Sequence, residues 1–199
     1  MKRSTLLQTA LLTCGLSFSA ASIAGGASGE MLGNTCAGCH GTNGVSNGPA
    51  APSIAGIDYD YMVQSMNEFK AGERRSTIMT RIAKGYSDAD IEAMSKYFAE
   101  KEYVLASQKY DAAAAKRGKK LHQKYCKNCH GDTGVSTDSD DDSGMLAGQW
   151  RPYLDYTFVD YLAGEREMGK KMKKKVKSLH KKAGDKGVAD LIEFYASQK

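Results

Sequence analysis

The sequence lacks several features that define common classes of protein. After residue 24 no apolar run is long enough to cross a bilayer, so we expect no membrane span. No G-x-G-x-x-G string occurs, which leaves the chain without the usual fingerprint of a dinucleotide-binding fold. The 28 basic and 23 acidic residues give a net charge of only +5, and this mild balance does not indicate nucleic-acid binding. Strand patterns are weak, and the spacing of apolar residues predicts an all-α protein.

The first residues have the pattern of an export signal. Lys2 and Arg3 precede an uncharged stretch that ends in Ser-Ile-Ala at 22–24, a small-x-small cleavage pattern. We expect residues 1–24 to be removed as a signal peptide and the mature protein, with a charge of +3 (26 basic minus 23 acidic), to be periplasmic. A lipoprotein anchored through Cys14 is the less favoured alternative, because the residue before that cysteine matches the lipoprotein pattern poorly.

Cysteine is also scarce, and its placement is informative. Apart from Cys14, the cysteines occur only in two strings, "CAGCH" at 36–40 and "CKNCH" at 126–130. Two cysteines three apart share one face of a helical turn, where they can form thioethers to the vinyl groups of a haem while the adjacent histidine binds the iron. Three other roles for these cysteines fit less well. A disulfide scaffold would not need the two histidines, and a zinc site needs four ligands in one cluster, whereas each string supplies three at most. A thioredoxin-like redox motif needs a βαβ setting. We therefore predict two covalently bound haem c groups, one on Cys36, Cys39 and His40 and the other on Cys126, Cys129 and His130.

The two strings belong to an internal repeat. The cysteines recur at an offset of 90, "AGER" at 71–74 recurs at 163–166 with an offset of 92, and "KYFA" at 96–99 corresponds to "EFYA" at 193–196 with an offset of 97. The first increase in offset falls in an acidic loop at 138–143. The repeat predicts two small haem domains, residues 25–102 and 103–199, each marginal for a stable apolar core without its haem.

Helix signals recur in both halves. Ser87 begins a capping pattern, and Ile91 and Phe98 lie on one face of the helix that follows. Val188 and Tyr195 repeat that spacing in the second half, at the offset of 97. We therefore predict that each domain ends in an amphipathic helix.

Methionine is the expected sixth iron ligand. Met79 lies five residues after the first "AGER", at the place where small c-type cytochromes have their axial methionine. In the second domain an offset of 92 reaches no methionine; Met172 requires 93 and Met168 requires 89. The offsets rise steadily along the chain if Met172 is the ligand, so Met172 is favoured and Met168 remains the alternative. His122 and His180 are expected to be surface residues.

Ligation by histidine and methionine determines the type of chemistry. It fills both axial positions of the iron, so such a haem transfers single electrons and has no position for a substrate. We therefore predict an electron-transfer protein and assign no catalytic residue.

The mature chain resembles the dihaem cytochrome subunit of flavocytochrome c sulfide dehydrogenase. The resemblance lies in "NTCAGCHGTNG", "GPAAPSIAG", "STIMTRIAKGYSDAD", "LHQKYCKNCH", "LAGQWRPYL" and the final "FYASQ". It implies two tandem class I-type cytochrome c domains and a heterodimer with an FAD-containing flavoprotein subunit that oxidises sulfide to sulfur or polysulfide. It also implies a soluble c-type cytochrome as electron acceptor. Sulfide oxidation to the sulfur level releases two electrons, which matches two haems.

The two halves differ beside the predicted haems. Pro49 and Pro52 precede the Ala-Gly segment of the first half, and such a proline carbonyl often accepts the Nδ1–H of the haem-binding histidine. The matching residues of the second half are Asp141 and Gly144. We therefore expect the two haems to have resolvably different reduction potentials.

Two other functions are compatible with parts of the sequence. A free periplasmic dihaem cytochrome c that carries electrons to a terminal oxidase would share the duplication and both His/Met sites. A catalytic dihaem enzyme, such as a peroxidase, would need one five-coordinate iron, and is favoured only if neither Met168 nor Met172 binds the second iron.

Overall fold

The computed structural model describes residues 26–135 and 144–199, and within these ranges it contains helices and no strand. The signal peptide predicted at 1–24 and the acidic residues 136–143 lie outside the described residues. The helices are α1 (Gly29–Asn34), α2 (Ala37–His40), α3 (Tyr59–Ala71), α4 (Met79–Ala83), α5 (Asp88–Ala99), α6 (Ala112–Tyr125), α7 (Lys127–His130), α8 (Arg151–Ala163) and α9 (Lys170–Ala196). None of these helices is both long and apolar enough to cross a membrane.

Helices α3 and α8 are copies of each other. Each has 13 residues, and the offset of 92 that the sequence predicted relates both of their ends. Each ends at a glycine with a left-handed backbone, Gly72 with φ 82° and Gly164 with φ 76°. A side chain at that position would be strained, so glycine ends the helix in both halves.

Helix α9 corresponds to α4 and α5 joined into one element. Gly184, with φ 62° and ψ −166°, interrupts its helical backbone. The part after Gly184 matches α5 at the offset of 97: Ile91 and Phe98 are buried in α5, and Val188 and Tyr195 are buried in α9. The predicted capping pattern at Ser87 is present as a complete capping box. Both predicted C-terminal helices are therefore confirmed.

In each half the helix before the cysteines crosses the last helix. Helix α1 packs against α5, and α6 packs against α9. Glycine permits the close approach, because a Cβ on Gly29 would lie 2.3 Å from the Ala93 carbonyl oxygen and one on Gly118 would lie 1.9 Å from that of Asp190. The crossing places the cysteine-bearing turns beside the C-terminal helices.

Two adjacent side chains of the second half, Gln149 and Trp150, contact the first half. Gln149 is buried; its Oε1 accepts a hydrogen bond from the Ser53 N–H at 3.0 Å, and its Nε2 donates to the Ser53 carbonyl at 2.8 Å. The Trp150 indole N–H donates to the Ser46 carbonyl at 3.0 Å, and its ring covers Gly48. The sequence did not indicate this contact between the halves, because 96 and 104 residues separate the bonded partners.

Candidate haem sites

The first cysteine motif forms one helical turn. Cys36 precedes α2, the His40 N–H donates to the Cys36 carbonyl at 2.9 Å, and His40 is the last residue of the helix. Neither Cys36 nor Cys39 is in a disulfide; Cys36 is half-buried and Cys39 is exposed. Burial raises the pKa of the Cys36 thiol, despite the hydrogen bond to Thr35. The two thiols and the imidazole therefore lie on one short turn, as a covalent haem site requires.

His40 is oriented by the carbonyl that the sequence suggested. Its Nδ1 lies 2.8 Å from the Pro52 oxygen, and because a carbonyl can only accept, Nδ1 carries the proton. The Nε2 lone pair then remains available for iron. Burial lowers the pKa of His40 against the opposite effect of the bond to Pro52, which favours the neutral imidazole.

The second motif repeats this geometry. Cys126 directly follows α6, the His130 N–H donates to the Cys126 carbonyl at 3.0 Å, and Cys129 is exposed. Burial raises the pKa of the Cys126 thiol. At the offset of 92, the residue that corresponds to Pro52 is Gly144, which borders the undescribed segment 136–143. The second site therefore has no proline carbonyl at the position that orients His40.

The prediction for His122 was wrong. It is fully buried in α6, with Nε2 2.8 Å from the Gly131 carbonyl oxygen and Nδ1 3.0 Å from the Tyr195 hydroxyl. Burial lowers its pKa, outweighing the opposite effect of the bond to Gly131. His180 is half-exposed and pairs with Asp185 at 2.8 Å, in agreement with a surface position.

The candidate methionines lie at or near helix starts. Met79 is the first residue of α4 and is partly buried against a core that includes Ala83. Met172 lies in the first turn of α9, and Met168 lies two residues before that helix. Both are half-buried. The structure therefore leaves both candidates for the second domain in accessible positions near the start of α9.

The residues present fit haem. Each motif supplies two thiols for thioethers, and His40 presents a free nitrogen lone pair. Ile78 and Ile82, on either side of Met79, are 45% and 37% exposed, an apolar lining of the kind that a porphyrin covers. Within residues 26–135 and 144–199, no three His, Cys, Asp or Glu side chains gather as a metal cluster, which gives a zinc site no support there.

The repeated "AGER" strings add buried positive charge. Arg74 and Arg166 are each 7% exposed and stack on aromatic rings, with guanidinium-to-centroid distances of 4.5 Å for Phe69 and 4.6 Å for Tyr161. Arg166 also donates to the Tyr61 hydroxyl of the first half at 2.6 Å. Among the described residues neither arginine forms an ion pair with a carboxylate, and haem carries two carboxylate groups of its own.

Comparison with known families gives one match in each half of the chain. The family described as cytochrome c matches residues 27–100, and the family described as cytochrome C oxidase, cbb3-type, subunit III matches residues 113–194. The two matches fall on the two halves, and each includes one C-x-x-C-H string.

Individual relatives and a solved structure agree with these families. The cytochrome subunit of sulfide dehydrogenase from Chlorobaculum tepidum is 46% identical over 70 residues, which are 35% of this chain and 63% of the relative, just under two thirds of its length. Cytochrome c4 from Pseudomonas aeruginosa is 30% identical over 169 residues, 81% of this chain and 83% of the relative. The crystal structure of reduced cytochrome c4 from Pseudomonas stutzeri matches with a TM-score of 0.74 and 25% identity, covering 86% of this chain and 97% of that one.

Proposed function

Since the chain belongs to the dihaem cytochrome c family and is an electron-transfer protein with two covalent haem c groups, we propose that it is the cytochrome subunit of a sulfide dehydrogenase. In this proposal it takes electrons from an FAD-containing flavoprotein subunit that oxidises sulfide to sulfur or polysulfide. It then passes them to a soluble c-type cytochrome in the periplasm. Each haem, when bound, supplies one-electron redox chemistry at its iron.

One observation carries the choice of partner. The identity of 46% to a cytochrome subunit of sulfide dehydrogenase exceeds the 30% to cytochrome c4. The stronger match spans only 35% of the chain, whereas the match to cytochrome c4 spans 81%. The wider coverage favours a second candidate, a free periplasmic dihaem cytochrome c that carries electrons to a terminal oxidase.

A sulfide titration of the native complex separates the two candidates. The complex is purified from the periplasmic fraction, its oxidised spectrum is recorded, and sulfide is added under anaerobic conditions. We expect flavin absorbance beside the haem bands and rapid haem reduction. The isolated dihaem chain at the same concentration is the control, because it contains no flavin and should be reduced far more slowly. A flavin-free protein that sulfide does not reduce faster than this control would establish the free carrier instead.

For the iron sites we propose His40 and Met79 as axial ligands of the first haem, and His130 and Met172 as axial ligands of the second. The thioethers are assigned to Cys36, Cys39, Cys126 and Cys129. Burial supports Met172 over Met168: Val176 and Leu179, at +4 and +7 from Met172, are buried, as Ala83 is at +4 from Met79. The same offset of 93 therefore relates Val176 to Ala83, the buried residue four positions after each methionine.

We also propose that the two haems differ in potential. His40 donates to Pro52, and a hydrogen bond from the proximal histidine makes it a more electron-rich ligand, which stabilises the oxidised iron. Gly144 stands in place of that proline in the second half, so the backbone beside His130 lacks the fixed φ angle of a proline. A potentiometric titration should resolve two one-electron steps. A single step that fits two identical sites would contradict this proposal.

An exposed cluster of lysines is the proposed docking site for the acceptor. It lies on the first half of α9, and all its members are exposed: Lys170, Lys171, Lys173, Lys174, Lys175, Lys177, Lys181 and Lys182. Such a field attracts acidic partners and speeds encounter at low salt. The rate constant for reduction of the soluble cytochrome should therefore fall as ionic strength rises, and replacing Lys173, Lys174 and Lys177 by Gln should flatten that dependence.

A further inference from the structure

His122 and Tyr195 form a buried, hydrogen-bonded pair beside the second haem motif. The Gly131 carbonyl, 2.8 Å from His122 Nε2, can only accept, so Nε2 carries the proton. Nδ1 is then an acceptor, and the Tyr195 hydroxyl at 3.0 Å donates to it. Both imidazole nitrogens are satisfied in one tautomer, so the cost of burying the ring is offset.

The first half has no such polar pair at the corresponding described residues. The offset of 97 relates Tyr195 to Phe98, which is buried. The offset of 89 that relates the crossing glycines Gly118 and Gly29 relates His122 to Gly33, whose Cβ position lies 3.3 Å from the Phe98 Cζ. The backbone around the aromatic residue is the same in both halves. The Gly56 N–H donates to the Phe98 carbonyl at 2.8 Å, as the Gly148 N–H donates to the Tyr195 carbonyl at 2.9 Å. The duplicated fold therefore does not need a polar pair for packing alone.

The polar pair acts on the residue next to the proximal histidine. Gly131 follows His130 directly, and its φ of 65° and ψ of −170° turn the chain away from α7. The bond from His122 fixes the carbonyl at this turn, and α6 and α9 hold His122 and Tyr195 rigidly because both are fully buried. In the first half the matching Gly41 carbonyl accepts instead from the Gly44 N–H at 3.0 Å, and His40 itself donates to Pro52.

We propose that His122 and Tyr195 are positioning residues for the second haem: they hold the His130 turn in the orientation that sets the reduction potential of that haem. The inference rests on the assignment of His130 as an iron ligand. It does not depend on which partner protein delivers the electrons. Tyr195→Phe reproduces the residue of the first half, and His122→Leu replaces the imidazole by an apolar side chain of similar size, so both remove a polar contact with little change in volume.

The test is a potentiometric titration of the isolated dihaem chain, with haem content and thermal unfolding measured on each variant. We expect His122→Leu, alone or with Tyr195→Phe, to change the equilibrium constant for sharing one electron between the two haems by about threefold or more. Tyr195→Phe alone should give a smaller change in the same direction, because the bond to Gly131 remains. The potential of the first haem should stay unchanged and serves as the internal control.

A conservative replacement distinguishes positioning from packing. His122→Gln offers an amide that can donate to Gly131 and accept from Tyr195, and should restore the equilibrium constant to within about twofold of the parent value. If the variants unfold at lower temperature but keep both reduction potentials, the pair only contributes packing and the proposal is overturned. Equal shifts in the reduction potentials of both haems would overturn it as well. If His122→Leu holds only one haem, Tyr195→Phe and His122→Gln decide the question. Loss of second-haem ligation in His130→Ala checks the underlying assignment separately.

Discussion

Replacing Gly118 by alanine tests the helix crossing that supports the second haem motif. The new Cβ would lie 1.9 Å from the Asp190 carbonyl oxygen and 2.9 Å from the Phe194 Cβ, whereas ordinary contact begins at 3.4 Å. The obstacle is backbone, which cannot rotate aside, so α6 and α9 must separate by about 1.5 Å. Alanine in a helix interior stabilises by about 0.5–1 kcal/mol, and overpacking costs about 1–3 kcal/mol or more. We expect a net loss of about 2 kcal/mol in the free energy of unfolding.

The loss is measurable by thermal unfolding of the haem-loaded protein, followed through the helical circular dichroism signal. For a domain of this size, 2 kcal/mol corresponds to a fall in midpoint of about 8–16 °C. Gly29→Ala tests the equivalent crossing of the first half, where the Cβ would lie 2.3 Å from the Ala93 oxygen, and should cost less. Gly169→Ala is the matched control, because nothing lies within 4 Å of its Cβ position. If Gly118→Ala unfolds at the same temperature as Gly169→Ala, the close helix crossing is refuted.

Three further predictions concern the contact between the halves, acid stability and iron ligation. Gln149→Ala leaves the buried Ser53 N–H and carbonyl without hydrogen-bond partners and should lower the free energy of unfolding by about 2–4 kcal/mol. Because the halves are then held together less tightly, the calorimetric unfolding transition should split into two. A single transition at the parent's temperature would contradict this prediction. The hydrogen bond from Arg117 lowers the pKa of Asp190. The ionised Asp190 therefore stabilises the fold fully above the ordinary carboxyl pKa near 4, and this stabilisation is lost as pH falls through the lowered pKa. Asp190→Asn should make the free energy of unfolding, measured by urea titration, fall less steeply with decreasing pH. A dependence on pH equal to that of the parent protein would count against the ion pair. Met172→Leu should remove the near-infrared band of methionine–iron ligation from one haem; if the band persists at full strength, the assignment fails.

The sequence predicted the repeat and the helices well because these are local or periodic properties. Helices α3 and α8 have the expected offset of 92, and the capping box at Ser87 has the predicted partners. The C-x-x-C-H strings predicted two haem c groups because all the chemistry of attachment lies within five consecutive residues.

His122 shows where such reasoning fails. A histidine among lysines and glutamine suggests a solvated helix face, yet its Nδ1 partner lies 73 residues away in α9. One local signal was available: Ala114, Gly118 and His122 follow each other at steps of four and form one buried helix face. The roles of Gln149 and Trp150 had no local signal, because their partners belong to the other half of the chain.

The covalent link between the halves has a consequence for how they can vary. Two separate copies of one domain, paired around a two-fold axis, must carry the same residue on both sides, so every substitution occurs twice. In a single chain each half is encoded separately, so its residues can change independently. The covalent link still keeps the two halves in a one-to-one ratio and at high effective concentration. Pro52 in one half and Gly144 in the other, or Phe98 in one half and Tyr195 in the other, are differences that a symmetric dimer could not have. Duplication within one chain thus permits two unequal redox centres on one repeated fold.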